Sequence, residues 1–249
     1  MTAPEHPQGP GIADRQLADV ADLVATGPVD MGAFTQAEMA VVLGEVPALA
    51  GVEEAVLAEA VRSLAARGVL HRVPGQAAAE VVGDLGLIVA LVATSVGTLD
   101  IRRGHDGPAD APWRWLISLF GNGVVGIDRI DALGLHRLSM YSVGGIADVA
   151  AERMIEGRAR IPSGATDPVP ISDADLRRVA AAAPARWQLI HRVPRRETDT
   201  RLVVESIVLR TGETRVDLVT RSHEDDGYQR VAVDRESLRD YLKGLFMLR

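Results

Sequence analysis

Two stretches of this 249-residue chain follow the same order of short apolar runs, tight turns and a closing amphipathic helix. The first stretch, residues 97–157, has four runs with period-two alternation, which is typical of strands. These runs are Leu99–Arg102, Trp113–Phe120, Val124–Ile130 and Leu135–Tyr141. Asn122-Gly123 separates two of them and favours the type I′ turn of a tight hairpin. The stretch therefore predicts an antiparallel meander that ends in a helix.

The second stretch, residues 172–249, repeats this order. Ser172 and Asp175 predict a short helix, and Asp234 is placed to cap a final one. The predicted strands between them are Trp187–Val193, Arg201–Leu209, Thr214–Arg221 and Tyr228–Val233. Residues 158–171, rich in proline and glycine, predict a linker. We expect an α+β fold with two pseudo-repeated meander-plus-helix units, their sheets side by side or joined.

The N-terminal part predicts a flexible tail over residues 1–14 and a helical region over residues 15–96. Thr35 and Glu38 have the spacing of a capping box. Val52–Arg67 has the clearest apolar stripe, and Gly68 is placed to end that helix. A short strand is predicted at Val69–Val73, followed by a buried helix over Ala77–Ser95.

Composition removes several kinds of active site. The chain has no cysteine, so disulfides, zinc–cysteine sites and cysteine nucleophiles are excluded. Its six histidines are widely separated, and the acidic loops around His105 and His223 are typical of turns rather than metal sites. We therefore predict no catalytic residue, no metal ligand and no cofactor.

Charge is distributed unevenly along the chain. The first 100 residues contain 13 acids against 4 arginines, whereas the remainder contains 21 acids against 23 bases. An acidic surface repels phosphate backbones, so nucleic acid is a poor expected partner. The most apolar run, Leu85–Val96, is too short to span a bilayer, and we expect a soluble cytoplasmic protein.

Two alternative functions stay open from motifs. Gly121–Gly126 matches the G-x-G-x-x-G pattern of dinucleotide-binding enzymes, although β-branched residues follow where a helix is required. Residues 35–73 have the order of part of a winged helix, which would make the chain a DNA-binding regulator. The helix that would enter the groove carries Glu53, Glu54 and Glu59, and that charge opposes DNA binding.

Three aromatic residues are candidates for a partner-binding surface. Trp113 and Trp115 share one face of a predicted strand, and Phe120 lies at its end. Tryptophan is enriched at binding hot spots, but period-two spacing also fits burial between sheet and helix. Both interpretations remain open at this stage.

The layout resembles the EspG family, the secretion-associated chaperones of mycobacterial and related actinobacterial type VII systems. The resemblance lies in Ala66–Leu70 at a helix end, in Gly227–Val233, and in Ser237–Leu242 of the closing helix. It implies a cytoplasmic, non-enzymatic protein with a pseudo-two-fold fold. It also implies a helical partner of the PE–PPE type, whose apolar tip the chaperone masks before export.

Overall fold

The computed structural model describes residues 12–44, 53–72, 79–93, 95–104, 114–155, 166–196, 199–211, 215–221 and 227–247. Within these residues the α+β class is confirmed. The helices are α1 (Ile12–Ala25), α2 (Gln36–Leu43), α3 (Glu54–Ala66), α4 (Gly83–Ala93), α5 (Val143–Ile155), α6 (Asp173–Ala182) and α7 (Arg235–Met247). The strands are β1 (Val29–Phe34), β2 (Leu70–Arg72), β3 (Ala79–Val81), β4 (Gly97–Gly104), β5 (Arg114–Gly121), β6 (Val124–Ile130), β7 (His136–Ser142), β8 (Val169–Ile171), β9 (Ala185–Arg196), β10 (Asp199–Arg210), β11 (Val216–Arg221) and β12 (Tyr228–Ala232).

Ten of these strands form one antiparallel sheet, in the order β1-β7-β6-β5-β4-β9-β10-β11-β12-β8. Strands β2 and β3 form a separate hairpin. The predicted meanders are therefore joined, and the junction is the pairing of β4 with β9, in register from Thr98 opposite Arg192 to Gly104 opposite Arg186.

Both halves of the sheet contain the same succession of elements. The first half runs β1, α2, β4 to β7 and α5, and the second runs β8, α6, β9 to β12 and α7. The first half differs by carrying α3, β2, β3 and α4 between α2 and β4. That the two halves repeat one structural unit stays a prediction.

One face of the sheet is covered by α5 and α7, which pack against each other. Alternate residues of the central strands point toward these helices and are fully buried, as period-two side-chain alternation requires. The largest such side chains include Leu99, Ile101, Ile117, Trp187 and Leu189. This layer is the largest apolar cluster among the described residues, and it extends across both halves.

The other face is covered by different helices in the two halves. Over the first half, α1, α2 and α4 bury Leu138 and Met140 of β7 together with Phe34 of β1. Over the second half, α6 packs Leu176 against Leu209 and Val219. None of the described helices is long and apolar enough to cross a membrane.

Three elements differ from the sequence-based expectation. The predicted helical region of residues 15–96 contains β1, which pairs with β7 at the edge of the large sheet. The helix predicted over Ala77–Ser95 begins only at Gly83, because β3 precedes it. The predicted linker of residues 158–171 ends in β8, which forms the opposite edge of the sheet. Both edge strands are short or irregular, so alternation along the sequence gives little signal for them.

The Asn122-Gly123 turn is confirmed, and the dinucleotide interpretation of Gly121–Gly126 is wrong. Both turn residues have positive φ, at 48° and 72°, as a type I′ turn requires. The chain then continues as β6 rather than as the helix whose N-terminus would face a pyrophosphate.

The turn makes a prediction about glycine substitutions. Changing Gly123 to Ala should lower the free energy of unfolding by about 1 kcal/mol, because left-handed backbone is costly for a residue with a Cβ. The matched change Gly244→Ala, within α7, should instead raise it by up to about 1 kcal/mol through helix propensity. Neither added Cβ meets an atom within 4 Å, so packing does not confound the comparison. Urea denaturation measures both, and shifts of the same sign would contradict the account.

One buried histidine lies beside the junction of the two halves. His191 of β9 pairs with Leu99 of β4 and is fully buried. Neither ring nitrogen has a hydrogen-bond partner among the described residues. Burial lowers the pKa of His191 below its ordinary value, because the apolar surroundings disfavour the imidazolium.

This burial predicts that stability falls under mild acid. The unfolded chain binds a proton at His191 near pH 6.5, whereas the folded chain does so only at lower pH. Between these two pKa values the free energy of unfolding should therefore decrease as pH falls, by at most about 1.4 kcal/mol per pH unit. His191→Leu should flatten this part of the profile, and the same change at exposed His71 should not. Urea titrations across this range make the test, and identical slopes for wild type and His191→Leu would contradict it.

Candidate partner-binding cleft

An open cleft with a volume of about 660 Å³ lies between α2 and α3. Its walls are mostly apolar and consist largely of small side chains. The lining residues are Thr35, Gln36, Ala37, Glu38, Ala55, Val56, Glu59, Ala60 and Ser63. A cleft of this size between two helices can receive the end of another helix or a helical hairpin.

The N-terminus of α2 forms one wall and is fixed by the predicted capping box. The Thr35 hydroxyl accepts a hydrogen bond from the Glu38 backbone N–H, at 3.2 Å. In return the Thr35 backbone N–H donates to Glu38 Oε2, at 2.8 Å. Two otherwise unpaired helix N–H groups are satisfied in this way, which holds the first turn rigid.

The second carboxylate oxygen of Glu38 ties this wall to α3. Oε1 accepts from Ser63 Oγ at 2.6 Å and from Arg67 Nη1 at 3.1 Å. Glu38 itself is buried, with 5% of its surface exposed. Burial alone would raise the pKa of Glu38, but hydrogen bonds from Ser63 and Thr35 and the charge of Arg67 hold it below its ordinary value. The carboxylate therefore stays ionised and clamps the two walls together.

Arg67 extends the same network to the edge of the sheet. Its Nη2 donates to the Ala33 carbonyl oxygen at 3.1 Å, and its guanidinium lies 4.5 Å from the centre of the Phe34 ring. A cation over an aromatic face is stabilised by the ring quadrupole. Strand β1, α2 and α3 are thus held by one side chain just after the end of α3.

The outer surface of α3 combines apolar and acidic side chains. Val56 and Val61 are exposed by 46% and 42%, which is high for valine. Glu53, Glu54 and Glu59 are also exposed at the N-terminal half of this helix. No lysine or arginine is among the lining residues of the cleft.

The structure places the sequence-predicted aromatic residues away from this cleft. Trp115 is buried beneath α5 and α7, and Phe120 is buried in the cluster under α1 and α4. Trp113 lies outside the described residues. Their role at a partner interface stays a prediction, whereas Val56, which lies in the helix predicted over Val52–Arg67, lines the cleft.

Two other buried carboxylates serve the sheet. Asp100 accepts hydrogen bonds from Arg102 and Arg114, with N–O distances of 2.6–3.0 Å. Asp217 is held by Thr211, Arg215 and Arg230. Burial would raise the pKa of each aspartate, but these hydrogen bonds outweigh it and keep both pKa values below the ordinary range.

The described part of the chain gives little support to a metal site or to a winged-helix DNA-binding site. It has no group of three metal-ligating side chains, and the loops near His105 and His223 lie outside it. Helices α2 and α3 and the β2–β3 hairpin follow the winged-helix order, but β1 pairs with β7 instead of with this hairpin. The candidate recognition helix α3 keeps its acidic surface, and its Arg62 pairs with Glu59 at 2.6 Å.

Comparisons with known proteins give likenesses of structure and none of sequence. No protein-family model and no curated protein sequence matches the chain. Among solved structures it is similar to the Mycobacterium tuberculosis type VII secretion system chaperone EspG5 in complex with a PE25–PPE41 dimer. The match has a TM-score of 0.49 and 8% identity, and covers 75% of this chain and 83% of that one. This is a likeness of structure, and membership of the EspG family does not follow from it.

The Glu38 network predicts how firmly the cleft is held. Glu38→Ala should lower the free energy of unfolding by about 2 kcal/mol, because Ser63, Arg67 and the Thr35 N–H lose their acceptor. Glu59→Ala is the matched control, since its ion pair with Arg62 is largely solvent-exposed and should contribute less than about 0.5 kcal/mol. Equal losses in chemical denaturation would show that Glu38 does not clamp the two helices.

Proposed function

We propose that this protein is a non-enzymatic, cytoplasmic chaperone that binds a helical protein and covers its apolar tip. The observation that carries the proposal is the α2–α3 cleft, an open apolar cavity whose walls are fixed by a buried carboxylate. A rigid, preformed cavity loses little conformational entropy when a partner enters, which favours binding.

The shape of the cleft supports a helical tip as its occupant. Ala37, Ala55 and Ala60 offer short side chains on both walls, so that a partner backbone can approach closely. The Val56 side chain is partly exposed to solvent and would be covered by that partner. Burying apolar surface stabilises a complex by roughly 25 cal/mol per Å² before the costs of association.

The sequence resemblance to the EspG family supports a partner of the PE–PPE type, a helical secretion substrate. On this proposal the chaperone keeps the apolar tip of the substrate out of water until export. Covering the apolar tip would keep the substrate soluble, because exposed apolar patches promote aggregation.

The proposal predicts that a charge on the cleft wall abolishes partner binding. Val56→Glu places a carboxylate against an apolar partner surface, where desolvation without a matching charge is costly. Val149→Glu is the matched control, because Val149 is a valine on helix α5 with similar exposure, 39%. Both sites are partly exposed, so each variant should remain folded, which circular dichroism checks.

The measurement uses tagged wild type, Val56→Glu and Val149→Glu in the cytosol of the source organism. We expect one helical protein to co-purify in stoichiometric amount with wild type and Val149→Glu, and to be lost with Val56→Glu. The purified partner should then remain soluble with the chaperone and aggregate without it in light scattering. A set of co-purifying proteins that is the same for both variants would overturn the proposed role of the cleft.

A further inference from the structure

The part of the chain that contributes the cleft is acidic in its sequence. The first 100 residues, which include α1 to α4, carry a formal charge of −9, whereas the rest carries +2. A charge imbalance of this kind attracts oppositely charged partners over a distance of about a Debye length, roughly 8 Å at physiological salt. The cleft therefore belongs to the acidic part of the chain.

The local ion pairs leave several of these acids uncompensated, and two of them stand beside the cleft. Arg67 pairs with Glu38, and Arg62 pairs with Glu59. Glu53 and Glu54 at the start of α3 are exposed and make no ion pair with any described residue. They directly precede Ala55 and Val56, which line the cleft.

We propose that the cleft selects a helical tip whose apolar end is flanked by lysine or arginine. This inference rests on the proposed function and adds the charge of the partner. The apolar walls hold the tip, and the unpaired Glu53 and Glu54 attract the cationic flanks. Opposite charges across an interface accelerate association and exclude partners with acidic flanks.

The test uses three synthetic helical hairpins that share one backbone. The first has an apolar tip with lysine flanks, the second has the same tip with glutamate flanks, and the third has a serine tip with lysine flanks. Fluorescence anisotropy and stopped-flow mixing measure affinity and association rate at about 50 and about 500 mM salt. The full chain is used as wild type and as three variants, which are V56E, E53Q/E54Q and the distant control D175N/E236Q.

We expect the lysine-flanked apolar hairpin to bind at least tenfold more tightly than the other two. Its association rate should fall about tenfold across the salt range, as electrostatic steering implies. E53Q/E54Q should slow association severalfold, while D175N/E236Q, which removes two exposed carboxylates from α6 and α7, should leave the rate within twofold of wild type.

The other outcomes separate the two proposals. Equal binding of the lysine- and glutamate-flanked hairpins, lost in V56E, would overturn the charge selection and leave the cleft as a docking site. Binding that depends on lysine flanks but survives V56E would show adhesion to an acidic surface, and would overturn both proposals. No binding by any hairpin would likewise count against both.

Discussion

The pairing of β4 with β9 is the constraint on which the rest of the fold depends, because it joins two meanders into one sheet. A glycine stands at each end of the paired segment. A Cβ on Gly97 would lie 3.1 Å from His191 Nε2 and 3.2 Å from the Arg192 carbonyl oxygen, and a Cβ on Gly104 would lie 2.6 Å from Arg186 Nε. Side chains of β9 thus occupy the space that larger residues on β4 would need. With the strands joined, α5 and α7 can share one apolar layer across both halves.

The cleft arises from the difference between the halves. In the second half α6 leads almost directly into β9, whereas in the first half α3, the β2–β3 hairpin and α4 intervene between α2 and β4. This added layer is held to the sheet edge through Glu38 and Arg67. Helix α3, which provides half of the cleft, is therefore attached by these polar contacts and by its buried Leu64, and its outer face stays exposed.

Local sequence signals predicted most helices and strands. Strands that depend on a partner distant in the sequence were not predicted. The Thr35 capping box, the Asn122-Gly123 turn and the strands β4 to β7 follow from residues within a few positions of each other. Strand β1 was missed because Gly32 and a bulge interrupt its alternation, and because its partner β7 lies about 100 residues away. Strand β8 has three residues and a central proline, which a sheet tolerates only at its edge.

The candidate site could be predicted less well than the fold, for a related reason. Trp115 attracted attention as a large aromatic residue, but its strand neighbours place it in the sheet–helix core. Period-two alternation shows which residues share one face of a strand, but it does not show which element covers that face. The lining of the cleft comes from α2 and α3, whose relative position depends on Glu38 reaching Ser63 across 25 residues of chain. No local pattern encodes that distance.

The distribution of carboxylates separates stability from recognition. The buried carboxylates of the described chain are Glu38, Asp100 and Asp217, and each is held ionised by hydrogen bonds that include at least one from arginine. Buried charges are tolerated only when they are paired in this way, so these three groups are committed to the fold. Exposed glutamates such as Glu53 and Glu54 make no such stabilising ion pairs with the described residues. Since these acids border an apolar cleft whose two walls the buried Glu38 network ties together, the groups that stabilise the site differ from those proposed to select its partner.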